Sequence, residues 1–278
     1  MASGKITVLV ENTAGRRGLL GEHGLSFWIE LGGQKTLFDT GQGKVLRENA
    51  SVLKIPLEQA DAVVLSHGHY DHTGGLTNVL HRTRQIPVFV HRAAFQPKYA
   101  RNSDGSNRDV GMPYMDEKGI REQNKLVLVD GPIEVGGGLR LTGPVPRKTD
   151  FEDTGGDFFN DPRCTRPDEL PDDQAAFVET PTGTVIILGC AHAGVINTLQ
   201  YIQTLTNSRP IHTVIGGMHL LNASPERMDK TVAELRRLDV QRLLPCHCTG
   251  FAAMFRLWNE FPRKCAACPV GTVLEVQE

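Results

Sequence analysis

Apolar positions along this chain fall into short runs, and the runs change period. "KITVLVEN" at 5–12 is compact and β-rich and predicts an opening strand. "LSFWIELGGQKTLFDTG" at 25–41 predicts a hairpin, two β-rich runs separated by "GGQ", with glycine supplying the turn backbone. The spacing then lengthens: "GKVLRENASVLKI" carries apolar residues at helical intervals and predicts a helix that stops before Pro56. Two stretches break the pattern. Residues 96–124 are polar, Gly-rich and too long for an ordinary connection, and read as a functional loop or flap. A second polar loop runs through 147–173. No low-complexity segment and no Ser/Gly linker marks a boundary, so residues 1–278 read as a single domain.

One arrangement recurs four times: a short apolar run ends in small, His-bearing residues and gives way to a helical or Gly-rich segment. The four are "AVVLSHGHYDHTGGLTNVL", "TVIILGCAHAGVINTLQYI", "HTVIGGMHLLNASPERM" and "RLLPCHCTGFAAMFRLW". Strands that feed helices stack side by side in layered α/β folds, so their C-terminal ends gather along one sheet edge. A lone histidine at a strand end is ordinarily a hydrogen-bonded bystander. Four such ends, drawing on only ten histidines in the chain, predict that the imidazoles converge.

Composition narrows the partners. Thirty Lys and Arg stand against thirty-two Asp and Glu, with no long run of one sign, which leaves no footprint for nucleic acid or an anionic membrane. No stretch of eighteen apolar residues occurs and the N-terminus lacks a signal-like apolar region, so the cytoplasm is the expected compartment. A small-molecule substrate is expected, and a homodimer is left open. Six cysteines are too sparse for a disulfide scaffold. Cys246 and Cys248 in "CHC", with Cys265 and Cys268 in "CAAC", have the spacing of a four-thiolate zinc site, but reduced, partly buried thiols are the expectation.

The densest chemistry is "SHGHYDH" at 66–72. Residues i and i+2 of an extended segment face the same side, so His67 and His69 can grip one ion together. Asp71 and His72 follow where the chain turns, free to point at a second ion beside the first. Two divalent ions roughly 3.5–4 Å apart clamp the attacking and leaving oxygens of a hydrolysis. Imidazole and carboxylate ligands suit zinc, with iron or manganese as alternatives.

"SHGHYDHTGGL" resembles the His-x-His-x-Asp-His signature of the metallo-β-lactamase superfamily. "LFDTG" at 37–41 resembles its strand-end aspartate motif. "EHGLSFWIE", "DDQAAFVETPTGTVIILGCAHAGVINTL", "IGGMHL" and "CHCTGF" are similar to a branch labelled with the dihydropterin ribofuranosyl-aminobenzene phosphate synthases. The resemblance implies an α/β (α+β) fold, the αββα sandwich, and two divalent ions. It implies that His67, His69 and His192 bind the first ion, that Asp71, His72 and His247 bind the second, and that Asp39 orients the cluster from behind. The superfamily's bridging aspartate follows a "TG" strand end, and here "ILGC" puts Cys190 in that place as a candidate bridge. By the same resemblance His23 faces the cleft as a candidate substrate contact; His219 in "GGMHL" is a candidate substrate contact or substitute ligand. Glu22 beside His23 is a further candidate for substrate binding.

Strand alternation past Cys246 predicts that Cys246 and Cys248 face away from a metal that His247 faces. His91 reads as structural, His81 and His212 as surface residues, and Trp28 and Trp258 as core. The expected chemistry is attack by water activated between two dications, with Asp71 orienting it or taking its proton. No Gly-x-Ser-x-Gly elbow or phosphate-binding glycine loop offers a competing set. Three functions follow: a hydrolase of a phosphate ester, thioester or lactone; a pterin-type synthase; and a diiron redox protein, disfavoured because these 278 residues show no flavodoxin-like partner domain.

Overall fold

The structure is a computed structural model describing residues 3–83 and 85–277. In chain order the strands are β1 (Ser3–Val10), β2 (Ser26–Leu31), β3 (Gln34–Phe38), β4 (Ala62–Val64), β5 (Pro87–Val90), β6 (Tyr99–Arg101), β7 (Asn107–Asp109), β8 (Lys125–Leu128), β9 (Ile133–Gly136), β10 (Leu139–Leu141), β11 (Phe158–Phe159), β12 (Ala176–Thr180), β13 (Gly183–Leu188), β14 (Ile211–Gly217), β15 (Arg242–Cys246) and β16 (Val273–Gln277). The helices are α1 (Leu46–Leu53), α2 (Tyr70–Thr73), α3 (Leu76–Leu80), α4 (Glu117–Gln123), α5 (Val195–Leu205), α6 (Pro225–Arg237) and α7 (Phe251–Glu260).

One sheet runs β16-β1-β2-β3-β4-β5-β8 and a second runs β15-β14-β13-β12-β10-β9. The alternation of side chains along each strand sorts them into layers. Phe27, Ile29, Phe38, Val64 and Phe89 of the first sheet meet Val178, Val185, Ile187, Ile215 and Leu244 of the second. Their immediate neighbours Trp28, Leu37, Val63 and Val88 point outward to Leu46 of α1 and to Val79 and Leu80 of α3. On the far face Phe177, Ile186, Val214 and Leu243 lie under residues of α5, α6 and α7. The result is the αββα sandwich that the resemblance implies.

The hairpin forms with register Leu31↔Gln34, so its turn is Gly32–Gly33 alone and Gln34 already belongs to the strand. Both turn residues have positive φ, +52° and +78°, which glycine adopts without steric cost. The expected helix is α1, ending at Leu53, with Lys54 left-handed before Pro56.

Residues 96–124 are the main correction. They are not one irregular loop: β6 pairs with β7 and α4 follows. The second polar stretch contributes β11, which pairs with β6 to complete a three-stranded flap. The polar composition concealed strands too short to show a period.

Candidate metal centre

Strands β3, β4, β5 and β8 run parallel in one sheet and β13, β14 and β15 in the other. Their C-terminal ends therefore open on one edge. The chain leaves four of these ends through non-glycine residues in the left-handed region: Asp39, Ala191, His219 and His247, at φ +58°, +53°, +43° and +50°. Such conformations cost about 1–3 kcal/mol each and concentrate where a site demands them.

The edge floors a cleft of about 890 Å³ lined by His23, His69, Asp71, Cys190, His192, His219 and His247. His67 and His72 lie fully buried just behind it. His67, His69 and His192 bring ligand atoms within 4.8 Å of one another, and so do His67, His72 and Cys190. His67 Nε2 lies 3.0 Å from His69 Nδ1. His72 Nε2 lies 3.2 Å from His247 Nε2 and 3.1 Å from Cys190 Sγ. Asp71 Oδ2 is 3.4 Å from His247 Nε2 and 3.1 Å from His23 Nε2. Cys190 also groups with His192 and His219, which puts its thiol between the two sets.

Four of the buried rings have an acceptor that fixes the tautomer. Asp39 is the hub. Its carboxylate accepts the Ser66 amide and hydroxyl and the His72 Nδ1 proton, all at 2.7 Å. With its proton committed to Asp39, Ser66 Oγ accepts from His67 Nδ1 at 2.9 Å. His192 Nδ1 donates to the Thr154 carbonyl at 2.8 Å, and His247 Nδ1 donates to Asn12 Oδ1 at 2.9 Å. The Nε2 lone pairs of His67, His72, His192 and His247 are all left for the centre.

Burial pushes the imidazoles of His67 and His192 well below the ordinary value, and that of His69 down to about 3, so all three are neutral donors at physiological pH. Burial also opposes charge on His72, but the Asp39 carboxylate outweighs it and raises the ring to about 9. Burial would raise Asp71, yet the hydrogen bond from His23 and the charge on His72 hold it well below the carboxylate range. His192 Nε2 and His219 Nδ1 are buried without any partner. Buried, unpartnered, neutral nitrogens beside an ionised carboxylate are costly unless a cation completes them, so the residues present fit divalent metal ions.

Several expectations need correcting. The Glu22 carboxylate accepts the amides of Gln42 and Lys44 at 2.9 and 3.2 Å and is not among the cleft-lining residues, so it braces the loop after Asp39 instead of meeting substrate. Cys248 does not turn away: residues 247–249 form a 3-10 turn, alternation ends at Cys246, and Cys248 groups with Cys190 and His247 and lines the cleft. Cys246 instead meets Cys268, so no four-thiolate cluster forms among the described residues. Trp28 is core, whereas Trp258 is half-buried. Ser66, Asn12, Thr154 and Glu11, whose carboxylate accepts the His247 amide at 2.8 Å, were missed. The one signal for Glu11 and Asn12 is "EN" closing "KITVLVEN", a polar pair just past the end of β1.

Fold and centre together define a class, that of αββα proteins with a cluster of potential metal ligands at the sheet edge. The chain belongs to the metallo-beta-lactamase superfamily, whose sequence pattern matches residues 20–247. It is similar to an uncharacterized protein of Methanocaldococcus jannaschii, 32% identical over 254 residues that span 91% of this chain and 93% of that protein. The 7,8-dihydropterin-6-methyl-4-(beta-D-ribofuranosyl)-aminobenzene-5'-phosphate synthase of the same organism is 28% identical over 282 residues, spanning 98% and 96%. The crystal structure of a metal-dependent hydrolase of the beta-lactamase superfamily matches with a TM-score of 0.84 and 33% identity, over 99% of this chain and 100% of that one.

Proposed function

We propose that this protein is a dinuclear metal-dependent hydrolase of a small ester-like substrate, with a phosphate ester ahead of a thioester or lactone. The observation that carries the reading is the set of acceptors, Asp39, Ser66, Thr154 and Asn12, that turns four Nε2 lone pairs onto one cleft floor. His67, His69 and His192 would hold one ion and Asp71, His72 and His247 the other, with Cys190 between them. Bound there, two divalent ions, zinc first, would acidify a water and polarise the electrophilic centre.

The chain's own groups supply the rest. Asp71 stays ionised at the floor, so it acts by orienting the attacking water more than by storing its proton. His23, half-exposed and 3.1 Å from Asp71, is placed to pass a proton between that carboxylate and solvent. Burial pushes His219 down to about 4, so it faces the cleft as a neutral imidazole. Arg101 and Arg108 of the flap line the cleft together with Leu221, Phe251 and Met254, which suits an anionic substrate with an apolar part. The test is a panel of chromogenic phosphate monoesters, phosphodiesters, thioesters and lactones on zinc-, iron- and manganese-loaded protein. Turnover abolished by a chelator and restored by metal supports the reading; metal-loaded protein inert on the whole panel opposes it.

A second reading, a synthase condensing a dihydropterin pyrophosphate with an aminobenzene ribofuranosyl phosphate, draws support from the 28%-identical relative aligned over nearly its whole length. Release of pyrophosphate on mixing those two substrates would favour it over the hydrolase.

A further inference from the structure

Gly68 lies between two imidazoles of the first trio and offers no side chain by which to be held. It cannot carry one: a Cβ would lie 2.2 Å from the Ala94 carbonyl oxygen. Its amide donates to Asp172 Oδ2 at 2.7 Å. The other oxygen of Asp172 accepts from Lys98 Nζ at 2.9 Å, and Lys98 donates equally to Asp168 Oδ2 at 2.9 Å. The side chains of Lys98 and Asp172 are 0% exposed and that of Asp168 is 1% exposed.

The next two residues continue the pattern. Asp173 Oδ2 accepts the amide of Ala193, beside His192, at 2.8 Å. Gln174 donates its amide to the Ser66 carbonyl at 3.0 Å and its side-chain nitrogen to the Leu65 carbonyl at 2.9 Å. Three consecutive residues therefore bond to the segments that carry His67, His69 and His192. A buried ion cluster of this kind gives little net stability, since desolvation consumes the Coulombic gain. What it does supply here is a fixed carboxylate at the amide of Gly68. Lys98 immediately precedes β6, so the same cluster ties the flap to the floor of the site.

We propose that Asp172, oriented by Lys98, is a positioning residue that sets the spacing of His67 and His69 across Gly68, with Asp172–Gln174 serving as the template for the first imidazole trio. The proposal rests on reading that trio as a metal site.

The experiment compares Asp172→Asn with Asp168→Asn in the full chain, because each removes one carboxylate from Lys98 but only Asp172 touches Gly68. Two quantities are read: amide hydrogen exchange of residues 65–72 in metal-free protein, and zinc affinity by competition with a chromophoric chelator. Asp172→Asn should speed exchange in 65–72 selectively and weaken the tighter zinc by about 10–100-fold, while Asp168→Asn, with a comparable loss in Tm, stays within about threefold. Wild-type exchange and affinity in Asp172→Asn, or equal effects in both variants, would overturn it. Should Asp172→Asn not fold, Lys98→Met/Asp172→Asn leaves the buried net charge unchanged and carries the same readouts. A wild type that takes up no zinc would defeat the metal reading, and the exchange comparison would still decide the positioning role.

Discussion

The trio His67, His69 and His192 and the trio Asp71, His72 and His247 share one cleft floor and differ in what holds them. The first is made of three imidazoles that burial keeps neutral, braced by a serine hydroxyl and a backbone carbonyl. The second mixes rings with a carboxylate and rests on the buried Asp39, which favours a proton on His72 until something displaces it. Asp71 also reaches the cleft mouth through the half-exposed His23. On the proposed reading the difference separates tasks: the neutral trio would grip one ion, and the charged trio would hold the other while its carboxylate orients the water.

The sharpest break in that comparison comes from the third imidazole of the neutral trio. His192→Ala should lose one ion and more than about 100-fold in turnover, the scale already reached by weaker changes around metal ligands. His219→Ala, by contrast, should keep both ions by elemental analysis. If His219→Ala loses metal and His192→Ala keeps it, the β14 end supplies the ligand instead.

Asp71→Asn tests the other trio and should retain the fold while slowing turnover by about 10²–10⁴-fold, the range for a positioned acid–base group. Circular dichroism and steady-state kinetics check it. Cys190→Ser addresses the seam between the trios. A smaller effect is expected there, about tenfold in metal affinity and toward harder ions such as manganese, because a hydroxyl replaces a polarisable sulfur.

The smallest effect is read in the metal-free protein by imidazole NMR. His69, lowered to about 3, should stay neutral throughout the neutral range, whereas His72, raised to about 9, should remain protonated until pH approaches that value. The linkage has opposite signs. The raised His72 stabilises the metal-free fold fully below about 6.5 and loses that contribution as pH climbs to about 9; the lowered His69 withdraws stability as pH falls from about 6.5 toward 3.

The strand-end histidines were legible because each combines two local signals, an apolar run and a ring-bearing residue just past it. Parallel strands then do the gathering, so His67, His192, His219 and His247 could be placed together before any coordinates. The supports were not legible. Thr154 reaches His192 from 38 positions away and carries no pattern that distinguishes it from a surface polar residue; Asn12 reaches His247 from 235, with only its place just past a strand to mark it. Alternation misplaces Cys248 because it does not continue past Cys246, where the left-handed His247 opens a 3-10 turn. The strands of the flap are not legible within a stretch that reads as a loop or flap, because strands of two or three residues cannot display a period.

Metal stoichiometry of the wild type beside His67→Ala and His72→Ala tests the paired centre most directly. Elemental analysis after supplementation with zinc, iron or manganese should give about two ions per chain in the wild type and about one in each variant, by the two-ion logic of the site. A wild type that holds none, or a single ion that either substitution removes entirely, would contradict it.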